Sequence, residues 1–152
     1  MKNKTLAHYL RLILIITFLL QACDNNNNDP INLNIETMTI SGEDLNGIES
    51  PENISTNPEI VVTFNSDIKP ETATESNIKL IQDYNEEAIE IEISVLGSTL
   101  TVAPKISLGN GTLYRFQISA NLLNLDEQSL TATTRTFTTI GTFSPPGIIA
   151  HY

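Results

Sequence analysis

The sequence predicts an all-β chain whose folded part is a single antiparallel β-sandwich, set behind a cleaved leader and a flexible tether. Three observations carry that expectation. From about Ile35 to Ile140 apolar and polar residues alternate with a period of two. Turn-forming Gly, Asn and Pro residues interrupt the alternation at short intervals. Helical periodicity is confined to Pro70–Ser76, a single turn opened by its proline.

The leader comes first in chain order. Lys2, Lys4 and Arg11 give a positive start, and Leu12 to Leu20 then runs LILIITFLL with only Thr17 interrupting. That run has the length of a signal-peptide core. A spanning helix needs roughly 20 apolar residues to cross about 30 Å of hydrocarbon, around twice what is present. Leu20-Gln21-Ala22-Cys23 ends the leader, with small Ala22 directly before the cysteine. The tetrapeptide resembles the lipobox of bacterial lipoproteins, although Gln21 stands where a small residue is usual. The resemblance implies cleavage between Ala22 and Cys23, so that residues 1–22 are removed. It also implies diacylglycerol on the Cys23 thiol and a further fatty-acyl chain, of the palmitate type, on the new N-terminus. Each buried methylene contributes about 0.8 kcal/mol, so two or three chains hold where one is marginal.

Cys23 is the single cysteine, which rules out an intramolecular disulfide. The run that follows it, Asp24-Asn25-Asn26-Asn27-Asn28-Asp29-Pro30, has nothing apolar with which to bury a thiol. A catalytic thiol would want a base, and the histidines are His8 in the leader and His151 beside the last residue. Residues 23–33 read instead as a disordered tether, too polar to offset its ordering entropy. Such a coil holds a domain on the order of 20 Å from a lipid surface. Acidic residues close behind the lipidated cysteine resemble the signal by which Bacteroidota lipoproteins reach the outer face of the outer membrane. In enterobacteria an Asp at the second position retains lipoproteins at the inner membrane, and the four asparagines follow neither pattern. The localisation expected is the outer membrane, lipid-anchored and exposed at the surface.

All 18 acidic residues lie beyond the leader, whereas three of the eight basic ones lie within it. The processed chain is therefore strongly acidic and repels nucleic acid, which is excluded as a partner. Its membrane contact is expected through the lipid alone.

The strands follow. Ile60, Val62 and Phe64 share one face, and Ile78 and Leu80 begin another strand. Ala88 to Val95 reads as one strand, with Ile89, Ile91, Ile93 and Val95 inward and Glu90, Glu92 and Ser94 outward. Gly97-Ser98 turns it into Thr99 to Ala103, a hairpin that Pro104 ends. Gly109-Asn110-Gly111 marks the next turn. Tyr114, Phe116 and Ile118 then point in while Arg115 and Gln117 point out, and Phe137 closes the series among threonines. Six or seven short strands over residues 34–140 predict an immunoglobulin-like sandwich. Its core is expected around Phe64, Tyr114, Phe116 and Phe137. Tyr114 has the spacing of a tyrosine corner, where the ring packs and the hydroxyl meets the backbone.

The span Asn57 to Thr139 resembles the bacterial Ig-like domain of S-layer and other surface proteins. The resemblance is carried by Asn57-Pro58-Glu59-Ile60-Val61-Val62-Thr63-Phe64, Ile68-Lys69-Pro70-Glu71-Thr72 and Leu100-Thr101-Val102-Ala103-Pro104. Leu108-Gly109-Asn110-Gly111-Thr112-Leu113-Tyr114 and Thr136-Phe137-Thr138-Thr139 continue it in the same order. Members of that family usually carry an Asp and a Gly-Asn pair in the loop before the last strand. Here Leu123-Asn124-Leu125-Asp126-Glu127-Gln128 lacks the glycine.

The function expected is that of a noncatalytic spacer or adhesion module on a lipid anchor, meeting a surface protein or polysaccharide. No acid and base pair, no nucleophile with its base and no His-rich metal spacing is legible, so neither an enzyme nor a cofactor is expected. Asp83, Glu86 and Glu87, and Asp126 with Glu127, lack calcium-loop spacing and read as solvated turns, so no metal site is expected. A glycan-binding surface protein is the alternative, limited by the lack of Trp and by Tyr84 as the one ring expected to be exposed. Residues 141–152 read as a linker, through Ser144-Pro145-Pro146-Gly147, and the possible start of a further domain. Ile148-Ile149-Ala150-His151-Tyr152 resembles the opening strand of laminin-G-type lectin domains, which would make the chain the front piece of a longer lectin-like or glycan-processing protein.

Overall fold

A computed structural model describes residues 32–144 of the 152-residue chain. The leader, Ala22, Cys23 and the run from Pro145 to Tyr152 lie outside the described residues. Among the described residues nine strands form two antiparallel sheets, and there is no α-helix. In chain order they are β1 (Ile35–Ile40), β2 (Glu43–Asp44), β3 (Ile60–Phe64), β4 (Ile78–Gln82), β5 (Glu87–Ile89), β6 (Ile91–Leu96), β7 (Thr99–Pro104), β8 (Leu113–Ile118) and β9 (Thr133–Thr138). One sheet has the order β2-β1-β3-β7-β6 and the other β5-β4-β8-β9. The helical turn read at Pro70–Ser76 is the 3-10 turn Pro70–Thr72 alone, in which the Thr72 hydroxyl donates to the Lys69 carbonyl at 2.7 Å.

Alternation places the core. Ile60, Val62 and Phe64 of β3 are buried, as are Tyr114, Phe116 and Ile118 of β8 and Phe137 of β9. Each large apolar side chain moved fully out of water contributes about 1.5–3 kcal/mol, so these inward faces hold the sheets together without a disulfide. The Tyr114 and Phe137 rings stack with centroids 5.6 Å apart across the β8–β9 pair. Leu33, Met38, Leu45, Leu122 and Leu130 join the core from β1 and from irregular segments. Leu33, read from the sequence as the last tether residue, is buried and bridges Leu130, so the folded unit takes in that residue too.

The single strand expected over Ala88 to Val95 is two strands in different sheets. Ile89 pairs with Leu80 in the four-stranded sheet, and Ile91 pairs with Pro104 in the five-stranded one. The chain changes sheet at Glu90, whose carbonyl accepts the Lys105 N–H at 2.9 Å. Both sheets face one interior, so the apolar side of the strand stays inward through the change. Period-two patterning reports the face and says nothing of which sheet supplies the hydrogen bonds.

The domain has two poles. At the tether pole the start of β1 lies beside the end of β3, with Asn34 N–H donating to Asn65 Oδ1 at 2.8 Å. At the exit pole the end of β9 lies beside the start of β8, and Ile140 accepts from Gly111 N–H at 3.0 Å.

Candidate functional site

The exit pole carries a cleft of about 390 Å³. Its floor is built by the turn Gly109-Asn110-Gly111 and by the tyrosine that follows it. The Gly109 N–H donates to the Tyr114 hydroxyl at 2.8 Å, five residues on, in the arrangement of a tyrosine corner. Burial raises the Tyr114 hydroxyl above its ordinary pKa, with the Gly109 hydrogen bond opposing the shift. Thr139 binds the same turn, accepting Thr112 N–H at 2.9 Å and donating to the Gly109 carbonyl. The floor is thus rigid and satisfied.

Residues 141–144 then cross over this turn. Gly111 has φ +55°, a left-handed conformation that suits glycine. A Cβ on Gly111 would overlap the backbone of Thr142 and Phe143. Only a glycine lets the crossing segment lie so close, and that approach brings Phe143 to Tyr84. Their ring centroids are 5.0 Å apart with the planes at 64°. Sequence reasoning assigned Phe143 to a linker. The close approach at Gly111 involves a residue some thirty positions away, so no local pattern around Phe143 reports it.

Apolar exposure gathers here. Tyr84, Ile106, Leu113, Ile140 and Phe143 are all exposed near the exit pole, whereas Leu96 and Leu125 lie near the tether pole. The cleft's polar lining includes Gln82, Ser107, Asn110 and Glu87. Ser107 donates to Asn57 at 2.7 Å and Glu87 accepts from Asn85 at 3.0 Å. The carboxamides of Gln82 and Asn110 have no hydrogen-bond partner among the described residues.

The acidic turns hold ion pairs. Arg115 Nε lies 2.9 Å from Asp83 Oδ1, and its Nη2 donates to Glu86. The hydrogen bond to Glu86 raises the guanidinium pKa. Lys69 donates to Glu127 and lies 3.8 Å from Glu71, and the Glu127 hydrogen bond likewise raises the ammonium pKa. These carboxylates neutralise side chains of the same domain. Among the described residues no group of three His, Cys, Asp or Glu side chains is placed to hold a metal.

Of the residues singled out from the sequence, Phe64, Tyr114, Phe116 and Phe137 lie in the core, and Tyr84 is exposed. Ala22 and Cys23 lie outside the described residues. The loop that lacks the family's glycine is closed by Asn124, whose Oδ1 accepts from Asp126 N–H at 3.0 Å and Gln128 N–H at 2.7 Å. Glu127 takes φ +59° there, so a non-glycine residue occupies a left-handed position.

The fold is similar to that of the N-terminal part of the bacterial S-layer protein SbsC, at 19% identity and TM-score 0.51, covering 72% of this chain and 24% of that one. A structure of domains 1–6 of surface layer protein SbsC matches at the same identity and TM-score, over 75% of this chain and 14% of that chain. The S-layer protein rSbsC(31-844) matches likewise, over 74% and 14%. This chain therefore spans about a quarter or less of the structures it resembles. No curated protein matches it. Residues 46–139, well over half the chain, match the family described as bacterial Ig-like domain, with all the strands from β3 to β9 inside the match, and the chain belongs to that family.

Proposed function

We propose that the chain is a lipid-anchored cell-surface protein whose Ig-like domain is a noncatalytic spacer and interaction module. The observation that carries the reading is the placing of the two poles. The chain enters beside Asn65 and leaves beside Gly111, at opposite ends of strands up to six residues long. At about 3.3 Å per residue such strands separate the poles by roughly 20 Å, and the domain carries the chain outward by that distance. Similarity to domains of S-layer proteins supports a place at the cell surface.

The anchor in this reading is Cys23, preceded by Ala22 and the apolar run Leu12 to Leu20. Acylation fixes the first residue of the processed chain, and the polar run 24–31 joins it to the domain. Growing cells on a labelled fatty acid tests it. Cys23→Ser is expected to abolish labelling and to release the protein from the membrane fraction, and equal labelling of variant and wild type would overturn the anchor.

A further inference from the structure

The cleft at the exit pole combines three features that a spacer does not need. Two exposed rings, Tyr84 and Phe143, meet at 64° and form a corner. Two carboxamides, Gln82 and Asn110, border the same cleft without partners among the described residues. Beneath them the floor is fixed by the Tyr114 hydroxyl and Thr139. At about 390 Å³ the space lies within the range of small-ligand sites.

We propose that this cleft binds a neutral sugar unit of a glycan. A pyranose has apolar C–H faces and a rim of hydroxyls, each both donor and acceptor. An aromatic corner covers a C–H face and one edge together, burying apolar surface that a single exposed ring would leave half wet. A carboxamide carries a donor and an acceptor on one rigid plane, which matches a pair of neighbouring hydroxyls. Because Gln82 and Asn110 have no partner among the described residues to give up, sugar hydroxyls replace water on them at little cost. Charge selects the class further. Glu87 lines the cleft, and the chain as a whole carries a formal charge of −10. Uronic acids and sulfated sugars are repelled there, and neutral hexoses are not.

The inference is independent of the lipid anchor, since binding is read in solution on the full chain carrying Cys23→Ser. The probes are neutral hexose tetrasaccharides of the glucose, mannose and galactose types, with a galacturonic acid tetrasaccharide for comparison. At least one neutral probe is expected to shift the side-chain amide resonances of Gln82 and Asn110. Phe143→Ala and Asn110→Asp are each expected to weaken that probe about tenfold or more while leaving the melting temperature near wild type. Leu96→Ser, near the opposite pole, is expected to leave binding unchanged, and the uronic acid probe to bind about tenfold more weakly than the neutral one. The proposal is overturned if no neutral probe shifts these resonances at about 10 mM, or if Phe143→Ala and Asn110→Asp bind as wild type does.

Discussion

The two poles of the sandwich are finished by different chemistry. At the tether pole, asparagine side chains substitute for missing backbone partners. Asn65 holds Asn34 and donates to the Asn32 carbonyl at 3.0 Å, while buried Asn124 closes its loop and donates to Ser66 at 3.2 Å. At the exit pole the closing elements are a tyrosine hydroxyl, two glycines of one turn and a pair of rings. Amide closure leaves its polar groups satisfied, so that pole resists opening. Aromatic closure leaves apolar surface and free carboxamides in contact with water, so that pole retains the means to bind.

Breaking the amide closure should have the largest effect. Asn124→Ala strips two backbone N–H groups of their acceptor and leaves a small void at a buried position, a loss of about 2–4 kcal/mol. Chemical denaturation measures it. A midpoint indistinguishable from wild type would mean that water enters the loop and replaces the side chain. Gly111→Ala is the counterpart at the exit pole, where left-handed geometry alone costs about 1–2 kcal/mol. The added methyl should also lift residues 141–144, separating Phe143 from Tyr84, which the ring resonances of Tyr84 report. If those resonances stay in place, the crossing segment is not held by Gly111.

The smallest change should run the other way. Glu127→Gly relieves the left-handed strain at φ +59°, worth about 1 kcal/mol, while giving up an exposed ion pair with Lys69. A modest rise in melting temperature at high salt, where the ion pair is screened, is the expected result. A fall there would show that the Lys69 contact outweighs the backbone strain.

Much of the sandwich was legible because burial imposes alternation on a strand. The inward placing of Phe64, Phe116 and Phe137 follows from their neighbours in sequence, and Tyr114 follows from its spacing to Phe116. The change of sheet at Glu90 was not legible, since the two sheets share one interior and alternation is blind to hydrogen-bond partners. Nor were Met38, Leu122 and Leu130 singled out as core, the last two because irregular segments carry no period. The cleft was half visible. Tyr84 sits in an obvious polar turn, but Phe143 owes its position to a close approach across Gly111, a contact between segments distant in the chain. The missing loop glycine was visible as a departure, and its physical meaning, a strained Glu127, required the backbone angle.

The placing of the poles has a mechanical consequence. A pull on Leu33 and Thr139 runs along the strands, because β1 leaves the tether pole and β9 arrives at the exit pole. Antiparallel hydrogen bonds lie across the strand direction, so the load falls on the β1–β3 ladder in shear, from Ile35 opposite Phe64 to Ile40 opposite Ile60. Bonds sheared together yield together, unlike bonds peeled one after another. A tug delivered at Leu33 therefore meets a force-bearing ladder at the first strand.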